Sequence, residues 1–273
     1  MTMIGHRLAW LATALAGVAA VLGLLTPVYR DVPAMVDQAQ GTDLATLFGA
    51  VPLLLIAFRL MSRGSALGPV IAGGGLGYLA YTYAIYAFQV VVNPLTPIHI
   101  AILGLAVWSL LLLVPAARRS TAAVGRSLPR RTTAGFLLFV VVMFGGLWLS
   151  QIGSAITSGH LPAAVTDLHL PTSAVYALDL AFALPVLALA GVLLVRRHPL
   201  AGSLAIGGLV FVVLMALSIL GLFAVQAARG SLTDASMVVV FALVGLIGGG
   251  LALRGVGPAG PPVQRRLAHV PGD

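Results

Sequence analysis

Asp179 is an acid set inside an otherwise apolar stretch, residues 173–195, about two turns from its N-terminal end. An ionisable group there is costly. It turns toward a protein interior or a wet cavity, where it serves as a proton, ion or ligand contact. The equal alternative is an acid that only ties neighbouring helices together by hydrogen bonds. A second polar signal lies in the stretch 66–91 and its end. At 100° per residue, Tyr78, Tyr81, Thr82, Tyr86, Gln89 and Asn93 fall within an arc of about 140°, with Tyr83 outside it. Tyr78 stands near the middle of the stretch, where a phenol needs a partner. Tyr78, Tyr81 and Gln89 are therefore expected to face a cavity, whereas Tyr83 and Tyr86 fit an aromatic belt at lipid headgroups.

Further polar residues fall at matching depth. Gln151 and Ser154 end the fifth apolar stretch, Tyr176 precedes Asp179 by one turn, and Gln226 and Arg229 end the seventh. With Asp37, Gln38, Gln40 and Asp43, placed in a loop, they are expected to line one vestibule. Arg229 either neutralises Asp179 or anchors at the interface, and the anchor is the simpler reading. His160, Asp167 and His169, completed by Asp179 or His99, form no closed metal-binding pattern, so neither a metal nor a cofactor is assigned. The chain contains no HExxH, GxSxG or phosphate-binding loop, and no paired histidines for haem. It also lacks cysteine, lysine and glutamate, which excludes disulfides, thiolate sites and lysine nucleophiles.

The elements that must position these residues are eight apolar stretches at about 8–28, 42–60, 66–91, 97–117, 134–156, 173–195, 200–227 and 235–253. Each is long enough to cross a bilayer core of about 30 Å as a helix. Of the 273 residues 60% are hydrophobic and 8% charged, a composition foreign to soluble domains. Thirteen of the 15 arginines fall in alternate connections and the termini on one side; only Arg30 and Arg229 fall on the other. Asp31, Asp37, Asp43, Asp167 and Asp234 share that second side. Short Arg-rich loops stay in the cytoplasm, so an all-α integral membrane bundle of eight transmembrane helices with both termini cytoplasmic is expected. The first stretch follows Arg7 but runs on to about Val28 without a clear cleavage site, and is read as a helix, not a signal peptide. The net charge of +8 is spread over five segments without aromatic interleaving. It points to anionic lipid headgroups as partners and not to nucleic acid. Oligomeric state is not legible.

The eight stretches read as two sets of four. A shift of 134 places Arg63 on Arg197, Gly68 on Gly202 and Gly73-Gly74 on Gly207-Gly208, and leaves Pro52 one residue from Pro185. Halves with an even number of spans would be parallel repeats; frequent Gly and Leu would also produce such coincidences. The division is 1–117 for the first half, 118–133 for a basic hinge, 134–254 for the second half and 255–273 for a disordered, proline-rich cytoplasmic tail. Gly73 with Gly77, and Gly245 with Gly249, have the spacing of close helix contacts.

The segment Tyr81-Thr82-Tyr83-Ala84-Ile85-Tyr86-Ala87-Phe88 with Asn93-Pro94-Leu95, the stretch Asp37-Gln38-Ala39-Gln40-Gly41-Thr42-Asp43, and Asp179 with Pro185 together resemble a family of bacterial multi-pass membrane proteins with no assigned activity. The resemblance covers about a third of the chain and carries over no catalytic role. Composition also suits a GC-rich bacterial genome, so the expected location is a bacterial plasma membrane. The expected function is transport or binding of a small molecule or lipid in an outward-facing polar vestibule, with Asp179, Tyr78, Tyr81, Gln89, Asn93, Tyr176, Gln151, Asp43, Gln226 and Arg229 as ligand contacts. The alternatives are an intramembrane enzyme acting on lipid or a lipid-linked substrate, and a structural or assembly subunit.

Overall fold

The computed structural model describes residues 3–120, 124–232 and 235–256, and no β-strand occurs among them. Eight long helices follow one another: α1 (Met3–Leu25), α2 (Pro33–Ser62), α3 (Leu67–Gln89), α4 (Thr96–Ser120), α5 (Arg130–Ser158), α6 (Ala174–Val195), α7 (Ala201–Arg229) and α8 (Ala235–Val256). Seven of them are long and apolar enough to cross a membrane. The exception is α3, whose glycines and tyrosines lower its hydropathy. It is buried along nearly its whole length, packing on α2, α4 and α7, so it has little lipid to match.

Local chemistry explains how the helices meet. In α1 the buried residues Gly5, Ala9, Ala12, Ala16, Ala19 and Gly23 recur every three or four positions, giving a face without bulk on which α4 and α2 lie. The α2–α7 contact is closer still. A Cβ on Gly41 would strike the backbone of Gly221 and Leu222, so only glycine allows the two helices to touch main chain to main chain. The expected glycine contact in α3 shifts by one residue: Gly73 and Gly77 have ordinary room, whereas a Cβ on Gly74 would stand 2.5 Å from the Gly207 carbonyl oxygen.

Helices α2 and α6 are each interrupted by one wide turn with i→i+5 bonding, Thr46–Ala50 and Asp179–Ala183. Each ends two residues before a proline, Pro52 or Pro185, whose missing N–H and ring obstruct regular α bonding to the residue four back. The correspondence continues at the constant spacing that separates Thr46 from Asp179. Arg63 N–H donates to the Arg59 carbonyl as Arg196 does to Val192, and Gly64 donates to Met61 as Arg197 does to Leu194. Gly64 (φ 73°) and Arg197 (φ 55°) are both left-handed. α7 starts at Ala201 and α3 at Leu67, one residue more than that spacing, which is why Pro52 and Pro185 miss by one at the spacing that aligns the glycines.

Buried apolar side chains form two clusters. One joins α1, α2, α3 and α4 with Val210 and Leu214 of α7; the other joins α5, α6, α7 and α8 with Val70 of α3. The connection expected to be a solvated hinge is partly packed: Val124 and Leu128 are buried in the second cluster, and Ser127 Oγ donates to the Arg254 carbonyl at 2.6 Å. The tail beyond Val256 lies outside the described residues, as does Asp234.

Candidate functional site

Between the two clusters lies a cavity of about 270 Å³, walled by α2, α3, α5, α6, α7 and α8. Most of the wall is aliphatic or aromatic, including Tyr81, Phe144, Trp148, Phe211 and Phe241. Asp179 stands in it as the first residue of the wide turn in α6. The Tyr81 hydroxyl of α3 donates to Asp179 Oδ1 at 2.9 Å, and the Trp148 indole N–H of α5 donates to Oδ2 at 2.6 Å. The carboxylate thus joins three helices through neutral donors. Among the described residues no cation is within ion-pair distance of it.

Aromatic rings continue from both donors. Trp148 lies between Phe144 (6.2 Å between centroids) and Tyr176 (5.4 Å), and Phe144 meets Phe241 at 5.9 Å. On the opposite wall Tyr81 meets Phe211 edge to face at 5.6 Å. Tyr176, half-buried beside this array, donates to Gln151 Oε1 at 2.7 Å, so those two satisfy each other at the edge of the cavity.

A second polar cluster is sealed against α1. Asp43 is 1% exposed, taking Tyr29 OH on Oδ2 at 2.6 Å and meeting Tyr86 OH with Oδ1 at 2.8 Å. The Tyr86 oxygen also lies 2.7 Å from the Ala39 carbonyl, an obligate acceptor. The Tyr86 hydroxyl proton is thus shared between the Ala39 carbonyl and Asp43 Oδ1. Burial pushes the Tyr29 phenol far up from its ordinary value, which keeps it a donor. His99, 1% exposed, lies against Tyr86 at 4.6 Å and Tyr83 at 5.6 Å, with neither ring nitrogen bonded to protein.

Several expected positions are corrected. Asp43 and Asp37 lie in α2, not in a loop, because Pro33 starts that helix nine residues ahead of the apolar run. Asp37 and Asp43 are therefore helical acids, as Asp179 is. Arg229 does not approach Asp179; it pairs with Asp37, and its second nitrogen donates to Gln40 Oε1 at 2.6 Å. Tyr78 does not line the cavity. Its hydroxyl bonds Ser218 of α7 at 2.7 Å and Thr46 of α2 at 3.1 Å, tying three helices in the core. Tyr83 and Tyr86 are not belt residues but buried, Tyr83 donating to the Ala16 carbonyl at 3.3 Å and Tyr86 contributing to the cavity wall. Gln89 is buried with Oε1 unpartnered and lies off the cavity wall. Asn93 shapes the turn after α3, accepting from Leu95 N–H at 2.8 Å and donating to the Val91 carbonyl at 3.0 Å. The Gln226 carbonyl caps the end of α7.

Of the expected contacts, Asp179 and Tyr81 meet in the cavity, with Tyr176 and Gln151 beside them. Trp148 and Phe144 were missed because sequence alone does not separate a lipid-facing aromatic from a cavity-facing one. Among the described residues no group of three or more acids and histidines is placed to hold a metal ion. No family model, curated protein or solved structure matches the chain.

Proposed function

We propose that this is a multi-pass membrane protein that takes a small, largely apolar molecule into the cavity at Asp179, with transport as its leading role. The observation that carries this reading is a cavity bounded by helices of both core clusters and containing a hydrogen-bonded carboxylate, the composition of a ligand site: apolar walls with few oriented polar groups. Reading α3 as an eighth, shielded span places thirteen arginines on the cytoplasmic side of a bacterial plasma membrane, against anionic headgroups. The matched wide turns and loops of α2–α3 and α6–α7 support two parallel repeats, whose interface is a natural place for a substrate site. Lipid chemistry is less favoured, since among the described residues no histidine lines the cavity and Asp179 would act alone.

The test uses the three tryptophans. With Trp10 and Trp108 changed to Phe, Trp148 reports from the cavity wall; with Trp10 and Trp148 changed, Trp108 reports from the exposed surface, being 63% exposed. Bromobenzene, a heavy-atom quencher, should quench Trp148 saturably and Trp108 in proportion to its membrane concentration. Ala216→Phe, which fills the cavity, should remove the saturable phase. Proportional quenching at both tryptophans would overturn the reading.

A further inference from the structure

We propose that the cavity selects an organic cation: a small molecule with an apolar body and a substituted ammonium head that sits against Asp179. The inference rests on the binding reading above and names its ligand class.

Three observations converge. First, Asp179 has neutral partners on both oxygens and no countercharge among the described residues. The nearest candidate from sequence, Arg229, is held by Asp37 and Gln40. Tyr81 and Trp148 fix the carboxylate's direction without cancelling its charge, leaving a negative potential in an apolar cavity where screening is weak. Second, the surrounding walls are π systems. Phe144, Trp148 and Phe241 form one run and Tyr81 with Phe211 another, and the two donors to Asp179 belong one to each. Aromatic faces attract a cation, most strongly when water is excluded, and a ring cluster beside a carboxylate is the chemistry that recognises alkylated ammonium groups. Third, among the described residues no second charged side chain lines the cavity, so a zwitterion or an anion would lack a charged partner for its negative group. An apolar cation has each part of its surface matched.

The volume of about 270 Å³ suits a compact aryl or alkyl ammonium. Tyr81 and Trp148 act as positioning residues that aim the carboxylate, while Asp179 makes the charge contact.

The test compares benzyltrimethylammonium with neopentylbenzene, its neutral isostere, as competitors for bromobenzene at Trp148 in protein reconstituted into nanodiscs. An apolar cavity without an active countercharge favours the neutral compound, because burying a charge is costly. The expected result is the reverse order, with the cation displacing bromobenzene at a concentration about tenfold lower or more, equivalent to about 1.4 kcal/mol. Asp179→Asn should abolish that preference, leaving the neutral isostere the stronger competitor. Equal or reversed affinity in the unmutated Asp179 protein would overturn the proposal without touching the binding reading. A cation preference that survives Asp179→Asn would overturn the role of the carboxylate. Loss of saturable quenching in the parent protein would instead remove the binding reading itself. The isostere comparison needs no Asp179 variant, so poor folding of Asp179→Asn leaves it decisive.

Discussion

The Tyr81 hydroxyl donates to the Asp179 carboxylate at 2.9 Å across 98 positions of chain, joining the central helix α3 to the wide turn of α6. Thr46, the corresponding first residue of the other wide turn, also meets a tyrosine of α3, Tyr78, at 3.1 Å. One of these contacts opens on the cavity. In the other, the tyrosine lies behind the cavity wall, bonded to Ser218 of α7. Wide turns free backbone groups and re-aim side chains; here they direct two polar residues toward the same central helix.

Tyr81→Phe and Trp148→Phe each remove one donor to Asp179 while keeping a ring in place. Each should weaken benzyltrimethylammonium binding by about 1.5–3 kcal/mol if the lost bond to a charged group is fully expressed in the complex. Competition titrations against bromobenzene measure this for Tyr81→Phe, which retains Trp148 as reporter; radiolabelled cation serves for Trp148→Phe. Unchanged affinity in both would exclude a positioning role.

Tyr78→Phe should lower stability more than ligand affinity, since Tyr78 does not line the cavity and its hydroxyl ties α2, α3 and α7 together behind the wall residue Ser218. Loss of its hydrogen bonds should cost about 1–3 kcal/mol through the polar partners left buried. Thermal unfolding in detergent and probe titration separate the two quantities.

Arg229→Gln strips the charge partner from Asp37, whose side chain is only 6% exposed while that of Arg229 is 42% exposed. The cost should lie between that of a surface pair and a buried one, about 2 kcal/mol. Adding Asp37→Asn should recover part of it. A double variant less stable than Arg229→Gln alone would show that the pair is not what holds α2 to the end of α7.

Burial raises Asp31 from the ordinary carboxylate range, opposed by the Val91 N–H that donates to Oδ1 at 2.9 Å. A raised folded-state value means that the folded form holds the proton more tightly. Its stabilising contribution is present below the unfolded value and is lost as pH rises through the folded one. Asp31→Asn should flatten that part of the unfolding profile above about pH 4, and an unchanged profile would assign the slope elsewhere.

Sidedness can be read with single cysteines, since the chain has none of its own. Ala34 and Ser62 are both exposed and lie at opposite ends of α2. An impermeant thiol reagent on intact cells should label Ala34→Cys and spare Ser62→Cys; the opposite result would invert the proposed topology.

The helices were legible in the chain of residues alone, because runs of about 20 apolar residues can satisfy their backbone only internally in lipid. So were the alternation of arginines, the polar arc of α3 and the isolation of Asp179 in an apolar run. These are properties of local composition and a fixed period. Which groups meet was decided only in three dimensions. The arc of α3 is real as a face, yet α7 and α2 occupy its Tyr78 end while Tyr81 opens on the cavity. Asp43 reads as a loop acid because its neighbours are polar, but Pro33 starts the helix early and Gly41 lets α2 press against α7, burying it between Tyr29 and Tyr86. Arg229 reads as an anchor or as a partner of Asp179, until packing of α2 on α7 brings Asp37 and Gln40 to it instead. Trp148 looks like any membrane aromatic until α5 packs against α6 and delivers its N–H to Asp179. Hydropathy records whether a residue tolerates an apolar environment; whether that environment is lipid, core or cavity wall depends on helix contacts between residues far apart in the chain.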